Sequence, residues 1–189
     1  MTSLSDEQLI RALAQGDENA LRILVERYSP SIYRFSVRYT GDESLAEDVA
    51  QEAFLRLFFH AKRYTTGRSF KTWLFTIVRN VSIDLARPYS HRKSTTPHLG
   101  DHATQEAFVP EMVVNGSPTQ EDRLAAQEKQ QMMLELLQDL PERQRAAIIL
   151  KYYEDMSTKE VAVVLGKSVS SVESLLARAK RNLATLLKL

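Results

Sequence analysis

Cysteine is absent from the 189 residues, which excludes a disulfide framework, a cysteine-ligated zinc, an iron–sulfur cluster and thiol catalysis. Glycine and proline are scarce, six of each, too few for an all-β chain that turns roughly every ten residues. Long hydrophobic runs are missing too. The longest are five residues, Ala146–Leu150 and Val161–Leu165, far short of the roughly twenty needed to cross a bilayer, so no membrane insertion of this chain is expected. The N-terminus MTSLSDEQLIRAL lacks the basic-then-apolar pattern of a secretory signal. A soluble, cytoplasmic protein is the expectation. What is present is 43% apolar and 26% charged residues, enough for a packed core and unlike a disordered chain.

The net charge of +1 conceals a segregated pattern. Residues 1–59 are net acidic, residues 60–93 carry eight basic side chains against one acidic, and residues 94–122 hold five acids with no Lys or Arg. The last 23 residues turn basic again, five cations to one acid. Two basic patches thus lie far apart in sequence with an acidic stretch between them, and either patch alone reads equally as a binding surface or as a solvated face. The middle stretch differs in kind. Four of the six prolines (Pro88, Pro97, Pro110, Pro118) lie there with Gly100, Gly116 and many Ser, Thr and His, and no helical period survives. It reads as a flexible linker, because an element-free stretch of this length is foreign to a compact domain.

Both flanks have helical periodicity. Leu9, Leu13, Ala20, Leu21, Leu24, Val25, Tyr28, Ile32 and Phe35 supply the stripes of a first pair of helices, with a fresh start at Asp17 and a turn perturbed or ended at Pro30. Gly41 and Asp42 break the chain before Ala46, Val49, Ala50, Ala53, Phe54, Leu57 and Phe58, spaced i, i+3, i+4, i+7 and onward. Phe70, Leu74, Ile77, Val78, Val81 and Leu85 continue the period until Pro88. The predicted fold is all-α: two small helical domains, 1–90 and 123–189, joined by a flexible acidic linker, 91–122.

The sharpest local signal is residues 157–183. Ser157 and Glu160 form an S-x-x-E capping box ahead of Val161–Leu165, and Gly166 supplies a residue able to take positive φ at a tight turn. Ser168 or Ser170 then caps a second helix with Val172, Leu175, Leu176 and Ala179 as its inner stripe. This is a helix-turn-helix plan. It leaves Ser170, Ser171, Glu173, Ser174, Arg178 and Arg181 outward, short polar residues where base edges would lie and cations further along for phosphates. Glu173 either accepts from a cytosine amino group or closes a capping box with Ser170, and the cap is slightly favoured. Ahead of this unit, Leu134, Leu137 and Leu140 end one helix at Pro141, and Ala146, Ile149, Leu150 and Tyr153 line the next.

The run DLPERQRAAIILKYYEDMSTKEVAVVLGKSVSSVESLLARAKRNL resembles the DNA-binding C-terminal domain of the extracytoplasmic function (ECF) RNA polymerase sigma factors. Independently, LAEDVAQEAFLRLFFHAKRYTTGRSFKTWLFTIVRNVSIDLAR is similar to their N-terminal domain, in the right order. The resemblance implies binding to bacterial core RNA polymerase and to promoter DNA, with the minus-ten element captured as melted strand and the minus-thirty-five element read as duplex. It adds an anti-sigma factor as a partner, and it implies no cofactor and no catalysis by this chain.

Spacing and resemblance then combine. Asp48, Gln51, Glu52, Leu55 and Arg56 lie opposite the core stripe of their helix, a leucine among charges, which suits a protein interface with a polar rim. The resemblance docks this face on the clamp coiled coil of the largest polymerase subunit. A melted strand needs cations for its backbone and a pocket for unstacked bases. The resemblance assigns that role to Thr65, Thr66, Arg68, Ser69, Lys71, Arg79, Asn80 and Arg87. Where housekeeping relatives carry two adjacent tryptophans, this chain has Trp73 and Leu74, implying weaker intrinsic melting. The minus-thirty-five contacts fall to Ser170, Ser171, Glu173, Ser174, Arg178 and Arg181. Two alternatives stand beside this reading: a stand-alone helix-turn-helix regulator, and a helical metalloenzyme using His60, His91, His98 and His102. The second lacks any Glu-x-x-His pair and any glycine-rich phosphate loop.

Overall fold

The structure, a computed structural model, describes residues 4–65, 67–86 and 120–187, with side chains of the last stretch described from residue 128. The described residues are helical with no strand, matching the all-α expectation. Four helices form the N-terminal half: α1 (Asp6–Ala14), α2 (Glu18–Thr40), α3 (Glu43–His60) and α4 (Phe70–Ala86), with a 3₁₀ turn at Ala61–Arg63. Local chemistry sets each start. Ser5 and Gln8 exchange both bonds of a capping box, Asp17 accepts from Asn19 N–H, and Asp42 accepts from Leu45 N–H at 3.0 Å.

Pro30 does not end a turn as expected; α2 runs through it for 23 residues. An interior proline costs about 3 kcal/mol. Tyr28, Ile32, Phe35 and Tyr39 remain in phase on both sides of it and are buried, and each such side chain contributes about 1.5–3 kcal/mol. Packing therefore overrides the local break. Aromatic edges knit the half together, Tyr28 on Phe70 at 5.4 Å and Phe35 on Phe75 at 5.5 Å between ring centres. The α3 stripe is narrower than its periodicity suggested: Ala46, Val49, Ala53 and Leu57 are buried, whereas Phe58 is exposed.

The C-terminal half comprises α5 (Gln120–Gln138), α6 (Glu142–Ile148), a π turn at Ile149–Tyr153, α7 (Thr158–Leu165) and α8 (Val169–Leu186). Helix α5 takes in residues 120–122, which had been placed in the linker. The rest of that linker, with His91, His98 and His102, lies outside the described residues. The two halves are packed together. Their buried side chains form one continuous cluster from Leu9 in α1 to Ala179 in α8, and α4 lies against α7.

Candidate nucleic-acid interface

Helices α7 and α8 are built as their residues predict. Ser157 Oγ accepts from Glu160 N–H at 3.2 Å, and Glu160 Oε2 accepts from Ser157 N–H at 2.9 Å. The Ser157 hydroxyl also donates to Glu160 Oε2 at 2.7 Å, and this bond, with that from Ser157 N–H, pulls the Glu160 carboxyl below the usual range. Gly166 takes φ +61°, a left-handed cap that lets Lys167 N–H reach Ala162 O at 2.9 Å. Ser168, not Ser170, then caps α8 by accepting from Ser171 N–H at 3.2 Å. Val172, Leu175, Leu176 and Ala179 are buried. Ser170, Glu173, Ser174, Arg178 and Arg181 face solvent, and Ser171 is half-buried.

The expected cap role of Glu173 fails. With Ser168 as the cap, the capping-box partner position falls on Ser171, so Glu173 sits two residues too far along and remains exposed.

The second basic patch is arranged around the start of α4. Tyr64 O–H donates to Arg68 O at 2.5 Å, and its ring lies edge-on to Trp73 at 5.4 Å and Phe70 at 6.2 Å. That aromatic group braces the loop and keeps Thr65, Arg68 and Ser69 exposed. Asn80 is exposed one face along. Thr66 and Arg87 lie outside the described residues.

Lys71 and Arg79 behave differently. Both are half-buried. Lys71 Nζ donates to Glu154 O at 2.5 Å, in the other half of the chain. Arg79 Nε is buried without a hydrogen-bond partner. It helps line a cavity of about 160 Å³ between the halves with Arg143, Leu165, Gly166, Lys167 and Leu175.

The third surface is on α3. Asp48 and Gln51 are exposed, Glu52 is half-buried, and Leu55 is 50% exposed. Arg56 bonds Glu52 at 2.7 Å and Asp84 at 3.0 Å. Burial opposes its charge, but the two carboxylates prevail and hold its pKa above the usual arginine value. It therefore clamps α3 to α4 and is less available than its neighbours. Sequence reasoning missed two members of this face. Phe58 and Phe59 are exposed, Phe59 at 69%, and at i+3 and i+4 from Leu55 they extend it into an apolar patch. The run Leu57-Phe58-Phe59 was itself the signal, since three consecutive helical residues spread over more than half the helix circumference and cannot all face one core stripe.

Comparison with known proteins places the chain in a family. The sigma-70 region 2 model matches residues 24–92 and the sigma-70 region 4 model residues 130–183. The chain is 31% identical over 175 residues to the ECF RNA polymerase sigma factor SigL of Mycobacterium tuberculosis, covering 92% of each chain. The chain belongs to the ECF RNA polymerase sigma factors. It is also 28% identical to SigW of Bacillus subtilis, again over 92% of each. Among solved structures, CnrH in complex with the cytosolic domain of CnrY superposes with a TM-score of 0.71, at 25% identity over 97% of both chains. The sigma factor RpoE of Bartonella quintana, in complex with the anti-sigma factor NepR, shares the fold with a TM-score of 0.62 at 21% identity, over 91% of this chain and 98% of that one.

A sigma factor directs promoter-specific transcription, with core RNA polymerase and promoter DNA as its partners, and the stand-alone regulator is not favoured. No helix among the described residues is long and apolar enough to cross a membrane. No group of three or more His, Asp or Glu among them could hold a metal ion.

Proposed function

We propose the following division of roles within this sigma factor. The α3 face of Asp48, Gln51, Glu52 and Leu55, extended by Phe58 and Phe59, docks on core RNA polymerase, with Arg56 bracing it. An apolar centre with an acidic rim is the composition of a protein interface. The loop Thr65, Thr66, Arg68 and Ser69, with Lys71, Arg79, Asn80 and Arg87, holds the melted minus-ten strand. The outer face of α8 reads the minus-thirty-five duplex, Ser170, Ser171 and Ser174 near base edges, Arg178 and Arg181 on phosphates. Glu173, released from any cap, is placed to accept from a cytosine amino group.

One observation carries this reading. The buried stripe of α8 leaves a continuous polar and cationic face in solvent on a rigid, doubly capped helix-turn-helix. The protein acts where RNA polymerase is, in the cytoplasm, and chemistry belongs to the polymerase. An anti-sigma factor is its expected regulator, as NepR is the anti-sigma factor in the complex with RpoE.

In-vitro transcription by this chain with core polymerase on a promoter library tests the reading, and no promoter-specific product would end it. On the promoters recovered, Glu173→Ala is expected to relax preference at one cytosine by about 1–3 kcal/mol. Unchanged preference would return Glu173 to a solvated position.

A further inference from the structure

Where the two halves meet, positive charge collects around a cavity. Bonds between distant residues fix the register of this seam. Gln138 Nε2 donates to Arg38 O at 2.9 Å, Arg145 Nη1 donates to Tyr39 O at 2.7 Å, and Lys71 Nζ donates to Glu154 O at 2.5 Å. The cavity of about 160 Å³ lies between Arg79 of α4, Arg143 of α6 and Lys167 of the turn before α8, with Leu165 and Leu175 as its apolar wall. Arg143, Gly166 and Lys167 are exposed, so it is reached from solvent.

Three cations and no carboxylate line this space. Among the described residues none of the three makes an ion pair. Arg79 Nη1 donates to Asn80 Oδ1 at 3.3 Å, but its buried Nε has no hydrogen-bond partner among them. A buried N–H of a cation left unmatched is destabilising, and native structures rarely keep one without a reason. Glu142, the carboxylate beside Arg143 in sequence, is taken by the Tyr39 hydroxyl at 2.6 Å. Helix α8 begins at Val169, and the positive end of its dipole adds to the same potential. The N–H groups of Gly166 and Lys167 are spent on Val163 O and Ala162 O, so recognition falls to the side chains.

We propose that this cavity binds a diphosphate group, as free pyrophosphate or as the phosphate chain of a nucleotide. Each guanidinium fork bonds two phosphate oxygens at once, and the lysine ammonium acts as a point charge. A single phosphate carries about −1.5 to −2 and leaves one cation unmatched; a diphosphate supplies enough charge for all three. The apolar wall keeps out water and strengthens the pairing. Arg79 comes from one half and the remaining lining from the other, so no local stretch of sequence holds the site. It does not depend on the sigma reading, since of its cations only Arg79 is also assigned to promoter DNA.

Titration calorimetry of the full chain with pyrophosphate, at constant ionic strength and without divalent metal, tests the site. One equivalent should bind. Arg79→Gln, Arg143→Gln and Lys167→Gln should each weaken binding about tenfold. Arg143→Glu, which brings a carboxylate to the cavity, should abolish it. Lys159→Gln, at an exposed cation of α7 outside the lining, should change nothing. ADP carries the same diphosphate and should bind within about threefold of pyrophosphate, with inorganic phosphate at least about tenfold weaker. Thermal melts confirm that each variant is folded, and pyrophosphate should raise the melting temperature of the unaltered chain but not of Arg143→Glu.

Absence of pyrophosphate binding overturns the site. An equal loss in Lys159→Gln and in the cavity variants reduces the binding to diffuse attraction by surface cations, which overturns it as well. Phosphate bound as tightly as pyrophosphate overturns the diphosphate assignment. If Arg143→Gln and Lys167→Gln weaken binding of duplex promoter DNA yet leave pyrophosphate binding unchanged, those cations serve DNA and the cavity site is lost.

Discussion

Glu160 is a residue whose removal should be felt in two places at once. It closes the capping box of α7 with Ser157 and also accepts from the buried Thr72 hydroxyl in the other half. Losing the cap costs about 1 kcal/mol, and losing a carboxylate at a helix N-terminus costs a further 0.3–1 kcal/mol or so. The abandoned Thr72 hydroxyl adds about 1 kcal/mol. Glu160→Ala should therefore destabilise the chain by roughly 2–3 kcal/mol at pH 7, set against a total of about 5–15 for a typical domain.

The sign with pH is fixed by the direction of the shift. Hydrogen bonds from Ser157 hold the folded carboxyl below its ordinary value. Its stabilisation is thus complete above the usual carboxylate range and is lost as pH falls through the lowered value. Urea denaturation of the unaltered chain and of Glu160→Ala, at pH 7 and again at pH 3.5, reads this difference. The penalty should fall by about half in acid. A cycle with Thr72→Val should return a coupling of about 0.5–1 kcal/mol, and one with Ser157→Ala a similar value. A penalty below about 0.5 kcal/mol at pH 7, or one equal at both pH values, would refute the assignment of Glu160 to a charged cap.

Three further outcomes are expected. Arg178→Ala and Arg181→Ala should each weaken duplex binding on all sequences and reduce the salt slope by about one; slopes unchanged in both remove them from the phosphate contacts. Leu55→Asp should weaken association with core polymerase at least tenfold, about 1.4 kcal/mol, and leave the melting temperature alone, because Leu55 is half exposed; a lowered melting temperature would return it to the core. Gly41 and Gly166 both have positive φ, but a Cβ on Gly41 would meet Gln138 Cδ at 2.9 Å while one on Gly166 meets nothing. Gly166→Ala should cost about 1–2 kcal/mol from backbone strain alone. Gly41→Ala should cost more, because Gln138 must also give way, visible as the larger loss in urea denaturation; equal costs would deny the close approach.

Much of this protein was legible one residue after another. The starts at Asp17, Asp42 and Ser157, the turn at Gly166, and the stripe Val172, Leu175, Leu176 and Ala179 depend on neighbours within one or two helical turns. Such short-range chemistry is written directly in sequence. The outward placement of Ser170, Glu173, Ser174, Arg178 and Arg181 was legible for the same reason, because a buried stripe dictates what is left outside. Errors arose where distant packing voted. Pro30 stays helical because residues on both sides bury against other helices. Phe58 is exposed because the α3 contact is narrower than its apolar stripe. Glu173 lost its cap once Ser168 took the first turn.

What no local pattern held is the seam. Glu154 follows two tyrosines and precedes an aspartate, an environment that reads as surface. Only the packing of α2, α4 and the π turn encloses it beside Ser31 and Lys71. The order of helices, the caps at Asp17, Asp42 and Ser157 and the outer face of α8 were determined by the sequence alone, since each follows from interactions within a few residues. Tertiary structure decided which of those faces meet. Contacts between residues about a hundred positions apart depend on shape and desolvation across the whole fold, and periodicity carries no record of either.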